Sequence, residues 1–189
     1  MGRWEPDSRG RLQEAALTLY AERGFEQTTA AEIAARAGVT ERTFFRHFAD
    51  KREVLFGGSA HLRDRIVDAV AGAPPGDGPL GAVARGLDAA ADLLGAFRRD
   101  LSATRFAVIA ANPELREREL AKLADYARAV AGALRERGVA EPQASLAAEA
   151  GMTVFRVAFE RWASGADDRD LVTVMREAMA AFRAVTAGG

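Results

Sequence analysis

With 189 residues, 49% of them apolar and 28% charged, the chain has enough apolar side chain for one large core, or for a small and a medium one. It contains no cysteine, which excludes disulfides, thiolate metal sites and thiol nucleophiles. Its net charge of −1 excludes the uniformly basic surface that many nucleic-acid binders carry, so any such role must rest on a local patch.

Residues 1–11 are polar and mixed in charge, without the apolar run of a secretory signal, and no stretch reaches the roughly 18 apolar residues of a membrane span. A cytoplasmic location with no membrane partner is expected. Helical spacing then recurs from end to end, and strand-like alternation is almost absent. Leu12, Ala15, Ala16, Leu19 and Tyr20 form the stripe of an amphipathic helix over 11–23, which Gly24 ends. Thr29 and Glu32 make a capping box for a short helix over 30–37, with Ile33 inward and Ala31, Ala34, Ala35 and Ala37 as a small inner face. Gly38 supplies a tight turn, and Thr40 caps a second short helix that ends at His47.

Asp50 and Glu53 open a longer helix through Val54, Leu55, Leu62, Ile66 and Val70, which Gly57 and Gly58 should weaken or bend. Pro74, Pro75 and Pro79 make 73–79 a loop. Four more helices follow over 80–98, 100–111, 112–137 and 142–163, the third capped by Asn112 with Pro113 in its first turn. Asp167 and Asp168 are expected to cap the last, over 169–184. The expected architecture is all-α with about nine helices. Residues 1–56 form a three-helix helix-turn-helix unit, and residues 57–189 a helical regulatory and dimerisation domain.

Two short helices joined by a glycine turn and braced by a longer helix form a helix-turn-helix, whose second helix enters a major groove N-terminus first. Thr40, Glu41, Arg42 and Thr43 would then meet base edges. Between residues 36 and 52 five basic residues (Arg36, Arg42, Arg46, Lys51, Arg52) stand against Glu41 and Asp50, with His47 among them. That patch suits a phosphate backbone.

The run TTAAEIAARAGVTERTFFRHFADKREVL, residues 28–55, resembles the DNA-binding domain of the TetR family of bacterial repressors. The glycine, the threonines, the paired aromatics, Phe48 and Lys51 all fall in register, and the agreement extends over about residues 12–55. Beyond residue 60 the similarity is one of helix count and order, and the loosely similar subset there is actinobacterial regulators whose ligands are often fatty or acyl compounds. The resemblance implies that Thr43, His47 and Lys51 contact phosphates, that Thr29 caps its helix and touches the backbone, and that Phe44 packs inside. Phe45 stands where the family usually has a tyrosine that bonds a phosphate, so one backbone contact is expected to be missing or transferred to Arg46.

No catalytic set assembles. The histidines are His47 and His61 alone, no phosphate loop or HExxH or GxSxG motif occurs, and no enzyme activity, cofactor or metal is expected. Asp167, Asp168 and Asp170 lack the spacing of a calcium loop. In the C-terminal half, Leu146, Ala150, Val154, Val157 and Ala158 with Leu171, Met175, Ala178, Met179, Phe182 and Val185 read as the stripes of a four-helix homodimer interface. Met152, Phe155, Phe159 and Trp162 share another face and, with Phe97, Phe106 and Tyr126, are expected to line a pocket for a small apolar effector. The reading is a dimeric regulator on a double-stranded DNA operator. The alternative is an all-helical small-molecule or partner-binding protein that no longer uses DNA.

Overall fold

The computed structural model describes residues 8–187, so the first seven residues of the expected N-terminal unit lie outside the described residues. Among these there is no strand. The helices are α1 (Ser8–Arg23), α2 (Ala30–Arg36), α3 (Glu41–His47), α4 (Lys51–Val54), α5 (Ser59–Ala71), α6 (Pro79–Gly95), α7 (Arg99–Ala111), α8 (Pro113–Glu136), α9 (Gln143–Ala163) and α10 (Leu171–Ala187). None is long and apolar enough to cross a membrane.

The tenth helix arises because the run opened by Asp50 breaks instead of bending. A Cβ on Gly57 would stand 2.7 Å from Gln13 Nε2 and 2.8 Å from Phe48 Cε1, so a larger residue would have to push these side chains of α1 and the end of α3 aside. Helix α5 restarts at Ser59. The break places four successive carbonyls, Val54 to Gly57, around a helix end; the Gly57 amide reaches Val54 O (3.3 Å) and the Ser59 amide reaches Phe56 O (3.0 Å), and carbonyls at such an end recruit further partners. Each finds one in a side chain: Gln13 Nε2 on Val54 (3.3 Å), Arg105 Nε on Leu55 (2.6 Å), Lys122 Nζ on Phe56 (3.3 Å) and a guanidinium nitrogen of Arg9 on Gly57 (2.6 Å).

Two apolar cores lie on either side of this break. The smaller gathers Leu12, Leu19, Ile33, Phe44, Phe48 and Val54, together with Ile109 of α7 and Leu115 of α8. The larger is built from α5, α6, α8, α9 and α10 around Ile66, Leu87, Leu134, Trp162 and Met175. Helix α7 packs on α1, α8 and α9 and so spans both cores, yet Ile109 is its one buried residue.

Several expectations need correction. Helix α6 stops at Gly95, three residues early, and Phe97 beyond it is 61% exposed, not buried. Of the stripes assigned to a dimer, Val154, Ala158, Leu171, Met175 and Met179 are buried within the chain's own larger core. Periodicity marks an apolar face without saying which surface covers it. Ala31 and Ala35 face solvent, leaving Ile33, Ala34 and Ala37 as the inner side of α2. Asn112 turns its amide to the Val108 carbonyl (2.6 Å) and ends α7 instead of capping α8. Asp167 is held by Arg169 (2.7 Å) and Arg161 (3.0 Å), so Asp170 takes the Thr173 amide (2.9 Å) and opens α10. The same hydrogen bonds from Arg169 hold the Asp167 carboxyl well below the usual carboxylate range.

Helix α9 crosses α6 at Gly151, where a Cβ would fall far inside van der Waals contact of Val83 Cγ1. Alanine would gain about 1 kcal/mol of helix propensity, against about 1–3 kcal/mol for forcing a filled core apart. Gly151→Ala is therefore expected to lower the urea midpoint, and to do so much less in a Val83→Ala background. Equal losses in both backgrounds would show that the crossing is not the cause.

Candidate nucleic-acid interface

The turn between α2 and α3 is fixed from both ends. Thr29 accepts the Glu32 amide (3.2 Å) while Glu32 accepts the Thr29 amide (2.9 Å), which closes the capping box and starts α2. That hydrogen bonding lowers the Glu32 pKa, so the cap persists into mild acid. At the other end Gly38 adopts φ +70°, its amide meets Ala35 O (3.1 Å), and the Val39 amide reaches back to Ala34 O (3.0 Å). This is a Schellman stop, which needs a left-handed residue at the position glycine holds. The chain emerges extended at Thr40, whose hydroxyl accepts the Thr43 amide (3.2 Å) and starts α3.

Helix α3 is seated by Phe44, fully buried, and by Phe48 just past its end, whose rings lie 5.8 Å apart. With those two inward, Glu41, Arg42, Phe45 and Arg46 point outward, and Phe45 is 52% exposed. The Phe45 ring meets Phe44 edge-on at 5.3 Å. Arg42 and Arg46 make no hydrogen bond or ion pair among the described residues. The remaining members of the basic run are engaged. Arg36 grips Glu22 with two bonds (3.1 and 2.8 Å), Arg52 lies 3.4 Å from Glu114, and His47 Nε2 pairs with Ser8 Oγ (3.0 Å).

Lys51 sits at the start of α4, where Asp50 caps the Arg52 and Glu53 amides (2.7 and 3.0 Å). Its ammonium donates to Phe25 O (2.9 Å) and Glu26 O (3.2 Å) and lies 4.6 Å from the centre of the Phe25 ring. The Lys51 carbonyl in turn accepts the Tyr20 hydroxyl (2.7 Å). Burial, and secondarily the Asp50 carboxylate, push the Tyr20 phenol above its usual range, so it stays a donor. Lys51 thus ties α4 to the turn after α1, a packing role that its position in the sequence did not reveal.

In the C-terminal half, Phe155 and Phe159 stack at 5.9 Å and Phe159 meets Trp162 at 5.8 Å. Met152 is buried beside them and Phe106 packs against the same core. The Tyr126 hydroxyl is spent on Ser59 O (2.7 Å). Two surface clefts, of about 180 Å³ between α6 and α10 and about 300 Å³ between α8 and α9, are lined by other residues; none of the seven expected pocket residues borders either.

Sequence reasoning missed the cluster that joins the two halves. Phe56 is buried, and the cationic groups of Lys122, Arg118 and Arg105 lie 4.3, 5.0 and 5.5 Å from its ring centre. Arg105 binds both oxygens of Glu119, and Arg118 pairs with Glu53 of α4. One signal was available: the chain has 24 arginines and two lysines, so a lysine at 122 is conspicuous.

Comparison with known proteins meets this geometry at both ends of the chain. The model for bacterial regulatory proteins of the tetR family matches residues 12–56, and that for the MftR C-terminal domain matches residues 77–187. The HTH-type transcriptional regulator TcmR of Streptomyces glaucescens is 35% identical over 122 residues, which is 64% of this chain and 53% of TcmR. The HTH-type transcriptional repressor KstR2 of Mycobacterium tuberculosis is 43% identical over 47 residues, 25% of this chain and 24% of KstR2. The chain thus aligns with only about half of the length of TcmR, and less of KstR2. Among solved structures, Thermus thermophilus FadR in complex with lauroyl-CoA is 28% identical, with a TM-score of 0.56 over 92% of each chain. FadR of Bacillus halodurans, at 18% identity and a TM-score of 0.64 over 95% of this chain and 96% of its own, shares the fold. A helix-turn-helix set by Gly38, a helical bundle behind it and family models matching both parts together show that the chain belongs to the TetR family of bacterial transcriptional regulators.

Proposed function

We propose that this protein is a dimeric repressor that reads an inverted-repeat operator through α3 and leaves it when an apolar effector binds. The observation that carries the reading is the outward face of α3. It presents two unengaged guanidiniums, Arg42 and Arg46, on a helix whose opposite face is locked by buried Phe44. Unpaired arginines lose no internal partner on meeting DNA. Arg42, in the first turn, is the base-reading residue, with Thr40 and Thr43 beside it. Thr29, Arg46, His47 and Lys51 contact phosphates, and Phe45 adds apolar contact. Residues 8–56 act as the reader and residues 57–187 as the regulatory part.

One short helix reads too few base pairs for a genome, so two copies would sit about 34–36 Å apart on successive major grooves. Leu146 and Val157 support a dimer through α9: they are 65% and 48% exposed and lie three turns apart on one face. For the effector, Met152, Phe155, Phe159 and Trp162 of α9 belong with Tyr126 of α8 and Phe106 of α7 to one apolar cluster, and α7 has a single buried residue, so a ligand could lift it. Phe97 plays no part in that cluster. The likeness to a FadR that holds lauroyl-CoA supports a long apolar ligand.

Selection of duplex fragments from a random pool tests the reading. An inverted repeat should be enriched, and no enrichment at low salt would overturn DNA binding. Arg42→Ala should relax one base position in each half-site, losing about 1–3 kcal/mol of discrimination. Lys51→Ala should weaken all sequences alike and lower the salt slope; because Lys51 also holds two carbonyls, its melting temperature should fall as well. Phe45→Tyr restores a hydroxyl at an exposed position and should tighten binding to every sequence, by about 0.5–1.5 kcal/mol. In sedimentation, the wild type should run as a dimer and a Leu146→Glu, Val157→Glu double variant as a folded monomer; a wild-type monomer at micromolar concentration would rule the dimer out.

A further inference from the structure

Both lysines of this arginine-rich chain lie over a phenylalanine ring and donate to main-chain carbonyls, but their electrostatic surroundings differ. Lys122, on α8, shares Phe56 with two guanidiniums. The carboxylates nearby are already engaged: Glu119 takes two bonds from Arg105 (3.1 and 2.7 Å), Glu53 pairs with Arg118, and Asp125 pairs with Arg128. Lys122 Nζ is left with neutral acceptors, Ser59 Oγ at 2.7 Å and Phe56 O at 3.3 Å. A half-buried ammonium beside two like charges, with no counterion of its own, is destabilised relative to the free amine. Burial first, then Arg118 and Arg105, push Lys122 down to about 8, against a smaller opposite pull from Glu119 and Asp125.

We propose that Lys122 is an acylation site, taking its acyl group from an activated carboxyl on an anionic leaving group, such as an acyl phosphate or the thioester of a phosphorylated carrier. The neutral Nζ attacks the carbonyl carbon, the bond to the phosphate oxygen or thioester sulfur breaks, and the nitrogen passes a proton to solvent. An amide and a free phosphate or thiol remain. Lysines placed next to another cation are a recognised kind of activated nucleophile. Arg118 and Arg105 contribute by favouring the neutral amine; both remain tied to their own carboxylates, Glu53 and Glu119. With a pKa of about 8, about a quarter of Lys122 is neutral at pH 7.5, against about one in a thousand for a free lysine.

Acylation would remove one of the three cations around Phe56 and leave one N–H where the ammonium had three, so Ser59 Oγ and Phe56 O could not both be kept. The bridge from α8 to the end of α4 would loosen. Reduced operator affinity as a consequence rests on the DNA-binding reading above; the chemistry at Lys122 does not.

The test treats the full-length protein with acetyl phosphate from pH 6.5 to 9.5 and maps adducts by proteolysis and mass spectrometry, with Lys51 and the terminal amine as internal comparators. Lys122 should be acetylated at least about tenfold faster than Lys51, its rate levelling off above about pH 8. The preference should vanish in protein unfolded by urea. Lys122→Arg should lose the adduct without changing the Lys51 rate, and Arg118→Gln should move the pH midpoint upward. Equal labelling of Lys51 and Lys122, or a Lys122 rate still climbing tenfold per pH unit at 9.5, would overturn the proposal. Operator binding is a separate readout. Lost affinity in the acetylated wild type, but not in treated Lys122→Arg, supports the regulatory consequence, and unchanged affinity in both refutes that consequence alone.

Discussion

Four consecutive carbonyls at the end of a four-residue helix hold this molecule together. Once α4 stops at Val54, the Gly57 and Ser59 amides still reach the Val54 and Phe56 oxygens, and the oxygens of Val54, Leu55, Phe56 and Gly57 are each met as well by a side-chain donor from another element. Gln13 and Arg9 come from α1, Arg105 from α7 and Lys122 from α8. Long flexible cations suit this task because they reach across a junction and still lay their stems on apolar surface. The Phe56 ring is the common surface, and the ion pairs Arg105–Glu119 and Arg118–Glu53 keep two of the cations aimed at it. A shift of α8 along its axis would have to break this set, so α8 and the end of α4 are mechanically coupled through it.

The same device recurs at the far end of α5, which shows that it is a habit of the chain. Arg137, at the end of α8, donates to Ala71 O (3.0 Å), Ala73 O (2.6 Å) and Pro74 O (3.1 Å), closing the proline loop onto α8. Arg99 does likewise for the loop between α9 and α10, bonding the carbonyls of Trp162 and Asp167 with its guanidinium 5.3 Å from the Trp162 ring centre. Helix ends here are stitched by arginine side chains from neighbouring helices, where shorter-range caps would have served one helix only.

That habit explains what was legible in the sequence. The caps at Thr29, Thr40 and Asp50, the stop at Gly38 and the inward Phe44 depend on residues within four positions, and local rules read them directly. The all-α class followed from a period that never changed. Asp167 and Asp170 could not be told apart locally, because two arginines claim the first and free the second. Asn112 was misjudged for a related reason: it could serve the helix before it or the one after, and Val108 O won. The cluster at Phe56 left one trace in the sequence, the rare lysine at 122, and its pairing could not be read locally because its partners lie about fifty or more positions away. Nor could spacing alone separate own core from partner surface along α10, where Leu171, Met175 and Met179 turn inward. At the candidate interface the outward residues of α3 were readable from its period, while the internal engagement of Arg36, His47 and Lys51 was not.

Ile109 and Leu115 are buried in the smaller core, although they belong to the helices of the larger part. The N-terminal unit is therefore not a self-sufficient module. Any helical part joined behind the N-terminal unit would have to bring a matching aliphatic plug, at positions equivalent to the end of α7 and the start of α8, to fill the same core. Recombination at the glycine pair alone would leave Leu12, Val54 and their neighbours facing water. The boundary between the two parts is thus a surface to which both contribute buried residues.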